Sequence, residues 1–264
     1  MKYIILLFIS FVIFSGCTTK SIETGGNKNN PQLQQNIKKE NPEIITSDNL
    51  KISTDYYFEE SKKDSVQPLV ILIHQFNSDR TQWSSELIDT LISSGFKVIA
   101  FDLRSHGKSD KAKIEFQKLL TDPEQTPKDV EAVIKWAKSN PGVDSNNIGC
   151  AGTSIGGSLS LYASYYLGAK TSIGISIGKM TFENLTGNFE AMMGRMVKSI
   201  NNVMLICGKQ DGNCGTESQM IYDTFLGTPK EYKQFESKKH GKELIKDFPG
   251  INNLIVEWFV KYLK

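Results

Sequence analysis

The pattern of apolar and polar positions changes at about residue 43 and from there predicts a succession of short strands. Residues 50–58 alternate apolar and polar side chains, which is typical of a half-exposed strand. Residues 69–73 form an unbroken apolar run, which is typical of a strand buried on both faces of a parallel sheet. Further runs of strand type occupy residues 96–101, 147–151, 171–176, 203–207 and 232–235.

Amphipathic segments lie between these runs and predict helices. The clearest start signal is at Thr126, Pro127 and Asp129: a capping residue, a proline at the first helical position and an acid in the first turn. An apolar face with helical spacing follows at Val130, Val133, Ile134 and Ala137. Similar faces begin at residues 155 and 254. Because strands and helices alternate, we predict an α/β fold with a mostly parallel sheet and helices on both faces.

The first 16 residues read as a signal peptide rather than as part of the fold. Their apolar run is about a dozen residues long, whereas a bilayer-spanning helix needs about 20, so an uncleaved anchor is the weaker alternative. The run ends at Phe14-Ser15-Gly16-Cys17, which resembles a bacterial lipobox. That resemblance implies cleavage before Cys17, lipid on its sulfur, and an extracytoplasmic protein held on a membrane by the lipid anchor.

Residues 17–42 are polar and almost without apolar side chains, so they cannot offset their ordering entropy by burial. We expect a flexible tether there, with an ordered extension as the alternative, and a folded domain over residues 43–264.

Composition and charge exclude several partner classes. The net charge is +2 and no block of Lys and Arg occurs, so we expect no nucleic-acid partner. Three scattered His and the lack of a Cys-x-x-Cys motif predict no metal, and we expect no cofactor and a monomer. Cys150 and Cys207 fall in predicted strands, and a bridge between Cys207 and Cys214 remains open.

Candidate chemistry begins at Gly152-Thr153-Ser154-Ile155-Gly156, between a predicted strand and a predicted helix. A serine on such a sharp turn needs small residues two places before and two places after it, and glycine stands at both positions. This context favours Ser154 as a nucleophile.

Five motifs together resemble the α/β-hydrolase superfamily, in its esterase, dienelactone-hydrolase-like and serine-aminopeptidase-like branches. They are Ile73-His74-Gln75-Phe76-Asn77-Ser78-Asp79-Arg80, Asp102-Leu103-Arg104-Ser105-His106-Gly107-Lys108-Ser109, Gly152-Thr153-Ser154-Ile155-Gly156-Gly157, Gly208-Lys209-Gln210-Asp211 and His240-Gly241. The resemblance implies an eight-stranded sheet with a small cap or none. For Asp102, Arg104 and His106 of the second motif, the resemblance implies structural rather than catalytic roles.

The superfamily's chain order is nucleophile, acid, base, which identifies His240 as the base because no other His follows Ser154. Asp211 directly follows a predicted strand and is the candidate acid, with Glu217 and Asp223 as alternatives inside a helical segment. The resemblance also implies an oxyanion hole made by the backbone N–H of Ile155 and that of Phe76, with Gln75 left open.

These residues predict a serine hydrolase that cleaves a carboxylic ester, or a related acyl bond, of a small-molecule substrate through an acyl-enzyme. A non-catalytic binding lipoprotein and an acyltransferase are the alternatives. Residues 178–200 are either a Met-rich flap over an acyl pocket or a short helix over the sheet edge. The apolar side chains of this segment are Phe182, Leu185, Phe189, Met192, Met193 and Met196.

Overall fold

The computed structural model describes residues 36–186 and 199–264. The strands are β1 Ile37–Glu40, β2 Ile44–Ile45, β3 Lys51–Ile52, β4 Thr54–Glu59, β5 Gln67–Ile73, β6 Lys97–Phe101, β7 Val143–Thr153, β8 Thr171–Ile175, β9 Val203–Gly208 and β10 Lys230–Phe235. The α-helices are α1 Ser85–Ser93, α2 Thr126–Ser139, α3 Ile155–Tyr166, α4 Lys179–Thr186, α5 Cys214–Phe225, α6 Lys242–Asp247 and α7 Gly250–Leu263.

Eight of the strands form one sheet in the order β1-β4-β6-β5-β7-β8-β9-β10. The strands from β6 to β10 in that order are all parallel, whereas β4 is antiparallel to β6 and β1 is antiparallel to β4. This arrangement confirms the predicted fold class, a mostly parallel eight-stranded sheet. Strands β2 and β3 make a separate two-stranded sheet.

The side chains of β5 explain its unbroken apolar run. Leu69, Ile71 and Ile73 belong to the hydrophobic cluster on one face of the sheet. Val70 and Leu72 belong to the cluster on the other face, with the apolar sides of α1 and α7. A strand covered on both faces has no position left for a polar side chain.

The predicted tether is too long at its C-terminal end. Ile37–Glu40 is a strand in register with β4, from Ile37 opposite Glu59 to Glu40 opposite Tyr56. Asn41, the residue after this strand, is also bound to β4: its side-chain amide donates to the Thr54 carbonyl, at 2.6 Å, and to the Asp55 carboxylate. An edge strand needs little apolar burial, because backbone hydrogen bonds on one side hold it in place.

The structure bears on two smaller expectations, the N-cap of α2 and the segment 178–200. Helix α2 already includes Thr126, and Gln125 is its N-cap, so the Thr126 hydroxyl donates to the Leu119 carbonyl instead of capping. In the segment 178–200, Phe182 and Leu185 lie on α4 and are buried in the core, as a helix packed over the sheet requires.

Residues 1–35 and 187–198 lie outside the described part of the chain. The predicted signal peptide, Cys17, most of the tether, and Phe189, Met192, Met193 and Met196 of the proposed flap therefore stay predictions. Within residues 36–186 and 199–264, no helix has the length and apolar character needed to cross a bilayer.

Candidate active site

Ser154 occupies a strained turn between the last residue of β7 and the first residue of α3. Its φ and ψ angles are +53° and −119°, outside the regions that side chains other than glycine prefer. A Cβ atom at Gly152 would lie 2.1 Å from the Gly156 carbonyl oxygen, and one at Gly156 would lie 2.3 Å from the Ile73 oxygen. Both positions therefore require glycine, which is the context predicted for an exposed nucleophile on a tight turn.

The structure brings His240 and Asp211 together although 29 residues separate them. Asp211 follows β9 and is buried, and its two carboxylate oxygens lie 2.9 and 3.1 Å from Nδ1 of His240. The alternatives are engaged elsewhere: Glu217 accepts from the Lys179 N–H, and Asp223 accepts from the Gln219 amide. Asp211 is therefore the carboxylate that the fold presents to His240.

Two backbone hydrogen bonds hold the loop that carries His240. The Gly241 N–H donates to the Ser176 hydroxyl at 2.9 Å, and the Lys242 N–H donates to the side-chain oxygen of Gln75 at 2.7 Å. With Nδ1 facing Asp211, Nε2 is the ring nitrogen left for a partner. Ser154 Oγ makes no hydrogen bond to any described residue; in substrate-free hydrolases the serine–histidine contact is often long and tightens when substrate binds.

The loop after β5 was predicted to supply an oxyanion donor, from either Gln75 or Phe76. The Gln75 N–H donates to the side-chain oxygen of Gln82 at 3.1 Å, and the Asn77 N–H donates to Nε2 of His106 at 3.2 Å. Neither the Phe76 N–H nor the Ile155 N–H reaches an acceptor among the described residues. Of the two candidates in the loop, Phe76 is thus the one with an N–H available to a ligand.

His74 and His106 stand behind this loop as buried, neutral rings. Nδ1 of His74 faces the Gln75 carbonyl, and its Nε2 accepts from the Leu103 N–H. Nδ1 of His106 faces the Arg104 carbonyl. Burial lowers the pKa of His74 to about 4 and also lowers the pKa of His106. Neutral rings with Nδ1 protonated satisfy all of these contacts, so both residues shape the loop.

The charged residues of the 102–109 motif fold the neighbouring chain. Asp102 accepts from the backbone N–H of Arg80 and of Lys108, and also pairs with the Arg80 guanidinium. The buried Arg104 guanidinium pairs with Asp129 and Asp48. These contacts tie the loops at this end of the sheet to one another and engage the charged groups of both Asp102 and Arg104.

The thiols near the acid are free. Cys207 and Cys214 form no disulfide, Cys207 Sγ lies 3.0 Å from the Tyr232 hydroxyl, and burial raises the pKa of Cys214 to about 12. One ligand atom each from Asp211, Cys214 and His240 lie within 4.8 Å of one another, so these three could together hold a metal ion. Asp211 and His240 are already hydrogen-bonded to each other, which occupies two of the three possible ligands. The expectation of a metal-free site stays a prediction.

Several residues of this network carry no recognisable signal in the sequence. Gln82 and Ser176 each make a side-chain contact that holds a site loop, yet neither belongs to a recognisable motif. Thr153 lies within the serine motif, but nothing in that motif marks its hydroxyl as the partner of Gln82.

A sequence model described as the alpha/beta hydrolase fold matches residues 68–174, which include the loop after β5 and the Ser154 turn. The structure superimposes on the Pyrococcus furiosus esterase Pf2001 with a TM-score of 0.68, over 90% of this chain and 98% of the other, at 22% identity. The chain therefore has the α/β-hydrolase fold. The chain is also 36% identical over 90 residues to an uncharacterized 31.7 kDa Escherichia coli protein from the traX-finO intergenic region, covering 34% of this chain and 30% of the relative.

A further relative of the chain is the thiohydrolase aneE of Aspergillus aculeatus, 26% identical over 127 residues, or 47% of this chain and 36% of the relative. The chain thus spans about a third of the length of the curated relatives it matches.

Proposed function

We propose that this protein is a serine hydrolase that cleaves a carboxylic ester or a related acyl bond. The observation that carries the proposal is the hydrogen-bonded contact between His240 and Asp211, at the same carboxyl end of the parallel strands as the Ser154 turn. A binding protein on the same fold has no need for a strained serine, a carboxylate-oriented imidazole and two open backbone N–H groups at one place.

In the proposed reaction, Ser154 Oγ attacks the substrate carbonyl carbon and its proton passes to Nε2 of His240. Asp211 accepts from the Nδ1–H of His240, which fixes the tautomer and stabilises the imidazolium. The carbonyl oxygen becomes an oxyanion and accepts from the N–H groups of Ile155 and Phe76. His240 then protonates the leaving group, and water, deprotonated by the same ring, releases the acyl group from Ser154.

An apolar acyl group suits the surroundings of this site. The Phe76 ring contacts the Phe116 ring, with centroids 4.5 Å apart, and Phe116 is 38% exposed. Two aromatic faces beside an oxyanion donor offer an apolar surface to the substrate chain. The names of the similar proteins, an esterase and a thiohydrolase, are consistent with oxygen esters and thioesters as substrate classes.

The decisive experiment replaces the nucleophile. Ser154→Ala removes one oxygen at a half-buried turn, so the free energy of unfolding should change by no more than about 0.5 kcal/mol. Hydrolysis of a p-nitrophenyl ester should fall by at least about 10³-fold. Ser158→Ala is the matched control: this serine lies one turn later on α3, its buried hydroxyl has no partner among the described residues, and its loss should leave the rate unchanged.

His240→Ala should reduce the rate about as far as Ser154→Ala, and the double variant little further, because triad members act as a unit. A fluorophosphonate probe should label the wild-type protein and leave Ser154→Ala unlabelled. If Ser154→Ala folds and keeps wild-type turnover, the protein is not a serine hydrolase, and a binding function on the same fold replaces the proposal.

A further inference from the structure

We propose that Gln75 and Gln82 are positioning residues whose side chains connect three segments of the proposed site. These segments are residues 74–77 (the oxyanion loop), residues 240–242 (the base loop) and residues 153–155 (the nucleophile turn). The inference rests on the proposed function, since it assigns these glutamines a role in the same acyl-transfer site. Neither side chain is assigned a contact with the reacting atoms.

The first link joins the oxyanion loop to the base loop. The side-chain oxygen of Gln75 accepts from the Lys242 N–H at 2.7 Å, two residues after the proposed base. Gly241, between the proposed base His240 and Lys242, has a φ angle of +53°, and a Cβ atom there would lie 2.1 Å from the same Gln75 oxygen. The base loop is therefore built around this amide, and only glycine at position 241 lets it approach.

The second link joins the oxyanion loop to the nucleophile turn through Gln82. The side-chain oxygen of Gln82 accepts from the Gln75 N–H at 3.1 Å, and its nitrogen donates to the Thr153 hydroxyl at 2.8 Å. Thr153 is fully buried and directly precedes Ser154. A single amide thus uses both of its ends to connect two loops.

The backbone around Gln82 is held in place independently. Gln82 is the last residue of the 3₁₀ helix Arg80–Gln82, and the Asp79 side chain caps this helix by accepting from the Thr81 N–H at 2.8 Å. The two glutamines are both half-buried, so their hydrogen bonds are partly shielded from competing water.

The geometric consequence falls on the oxyanion donor. Gln82 takes up the Gln75 N–H and so orients the His74–Gln75 peptide, which lies one residue before the peptide that carries the Phe76 N–H. The Phe76 N–H is the donor left open. Because Gln75 also holds the Lys242 N–H, the base loop keeps a fixed distance from that donor. Catalysis of this kind depends on donors that are already placed before the charge develops, so loss of either amide should lower the rate of the chemical step.

The test uses the full-length chain with Gln75→Met and Gln82→Met, which preserve side-chain length and remove the hydrogen bonds. Each should lower kcat for a p-nitrophenyl ester by about 10- to 100-fold while KM changes less than about threefold, somewhat below the loss of a whole oxyanion donor. The double variant should be little slower than the worse single variant, since both act through one network. Gln219→Met, a half-buried glutamine bonded only to Asp223 on α5, is the matched control and should keep wild-type kcat.

A purely structural role would leave transition-state recognition intact, so the inhibition constant of a boronic acid is measured in parallel. It should rise in proportion to the loss in kcat/KM. Thr153→Val, which keeps the packing and removes only the hydroxyl that Gln82 contacts, provides the same comparison if a glutamine variant does not fold.

The outcomes separate the inference from the proposed function. A wild-type protein that is neither active nor labelled by a fluorophosphonate contradicts the proposed function itself. An active, labelled wild type whose folded Gln75→Met and Gln82→Met variants keep kcat within twofold overturns the positioning role alone. If those variants do not fold, an unchanged kcat in Thr153→Val overturns it.

Discussion

At the scale of single residues, the three histidines show how environment divides one side-chain type into different roles. His240 has a carboxylate on one ring nitrogen and 39% of its side chain exposed. His74 and His106 are buried, and each accepts a backbone N–H. Sequence order alone could single out His240, whereas the hydrogen bonds of the other two depend on backbone groups that no pattern reveals.

Burial of His74 predicts a loss of stability in acid. The pKa of His74 falls from 6.5 in the unfolded chain to about 4 in the folded protein, so the unfolded chain binds this proton at a higher pH. The contribution of neutral His74 to the free energy of unfolding is therefore complete above pH 6.5 and declines as the pH falls toward 4. The expected loss over that range is about 3 kcal/mol. The measurement is urea unfolding from pH 8 to 4 in the wild type and in His74→Gln, which should lose less over this window. Parallel curves for the two proteins would show that His74 does not contribute.

At the scale of elements, the sheet shows which strands a pattern can reveal. Strand β5 was predicted because apolar neighbours on both faces demand an unbroken apolar run. Strand β1 was assigned to the tether because its sequence, Ile-Lys-Lys-Glu, is almost wholly polar. An edge strand is specified by the partner it pairs with, and that partner lies in a distant part of the sequence.

The position of β1 predicts where the chain can be shortened. A chain beginning at residue 36 should melt at the same temperature as the longer protein. One beginning at residue 43 loses the β1–β4 pairing and the Asn41 contacts, which should cost roughly 2 kcal/mol, or about 4–8 °C in Tm. Thermal melts of the two chains check this, and equal melting temperatures would mean that β1 adds nothing to stability.

At the scale of the whole molecule, the strand order decides what the site is made of. Ser154, Asp211 and His240 follow β7, β9 and β10, whose parallel direction places all three at one edge of the sheet. Motif order predicted these three residues, and their position at one end of the sheet could be foreseen because the carboxyl ends of parallel strands meet. The Gln75–Gln82 links could not, because they depend on side-chain orientation in a 3₁₀ turn.

We propose that the whole protein is anchored outside the cytoplasm through lipid on Cys17, as the lipobox resemblance predicts. Growth with an alkynyl fatty acid should label the wild type and leave Cys17→Ser unlabelled. Cys214→Ser, which changes a partly buried thiol of the folded domain, should be labelled as the wild type is. Label on the Cys17→Ser protein would contradict the proposal.

The hydrogen bond from Lys242 to Gln75 spans 167 positions of the chain. A contact of such sequence separation forms only after the polypeptide between its ends has been ordered, because the entropy of closing so long a loop must first be offset. During synthesis from the N-terminus, the nucleophile turn is complete long before the base loop exists. Under the proposed function, an unfinished or partly refolded chain carries the nucleophile without its base, and turnover becomes a direct gauge of complete folding.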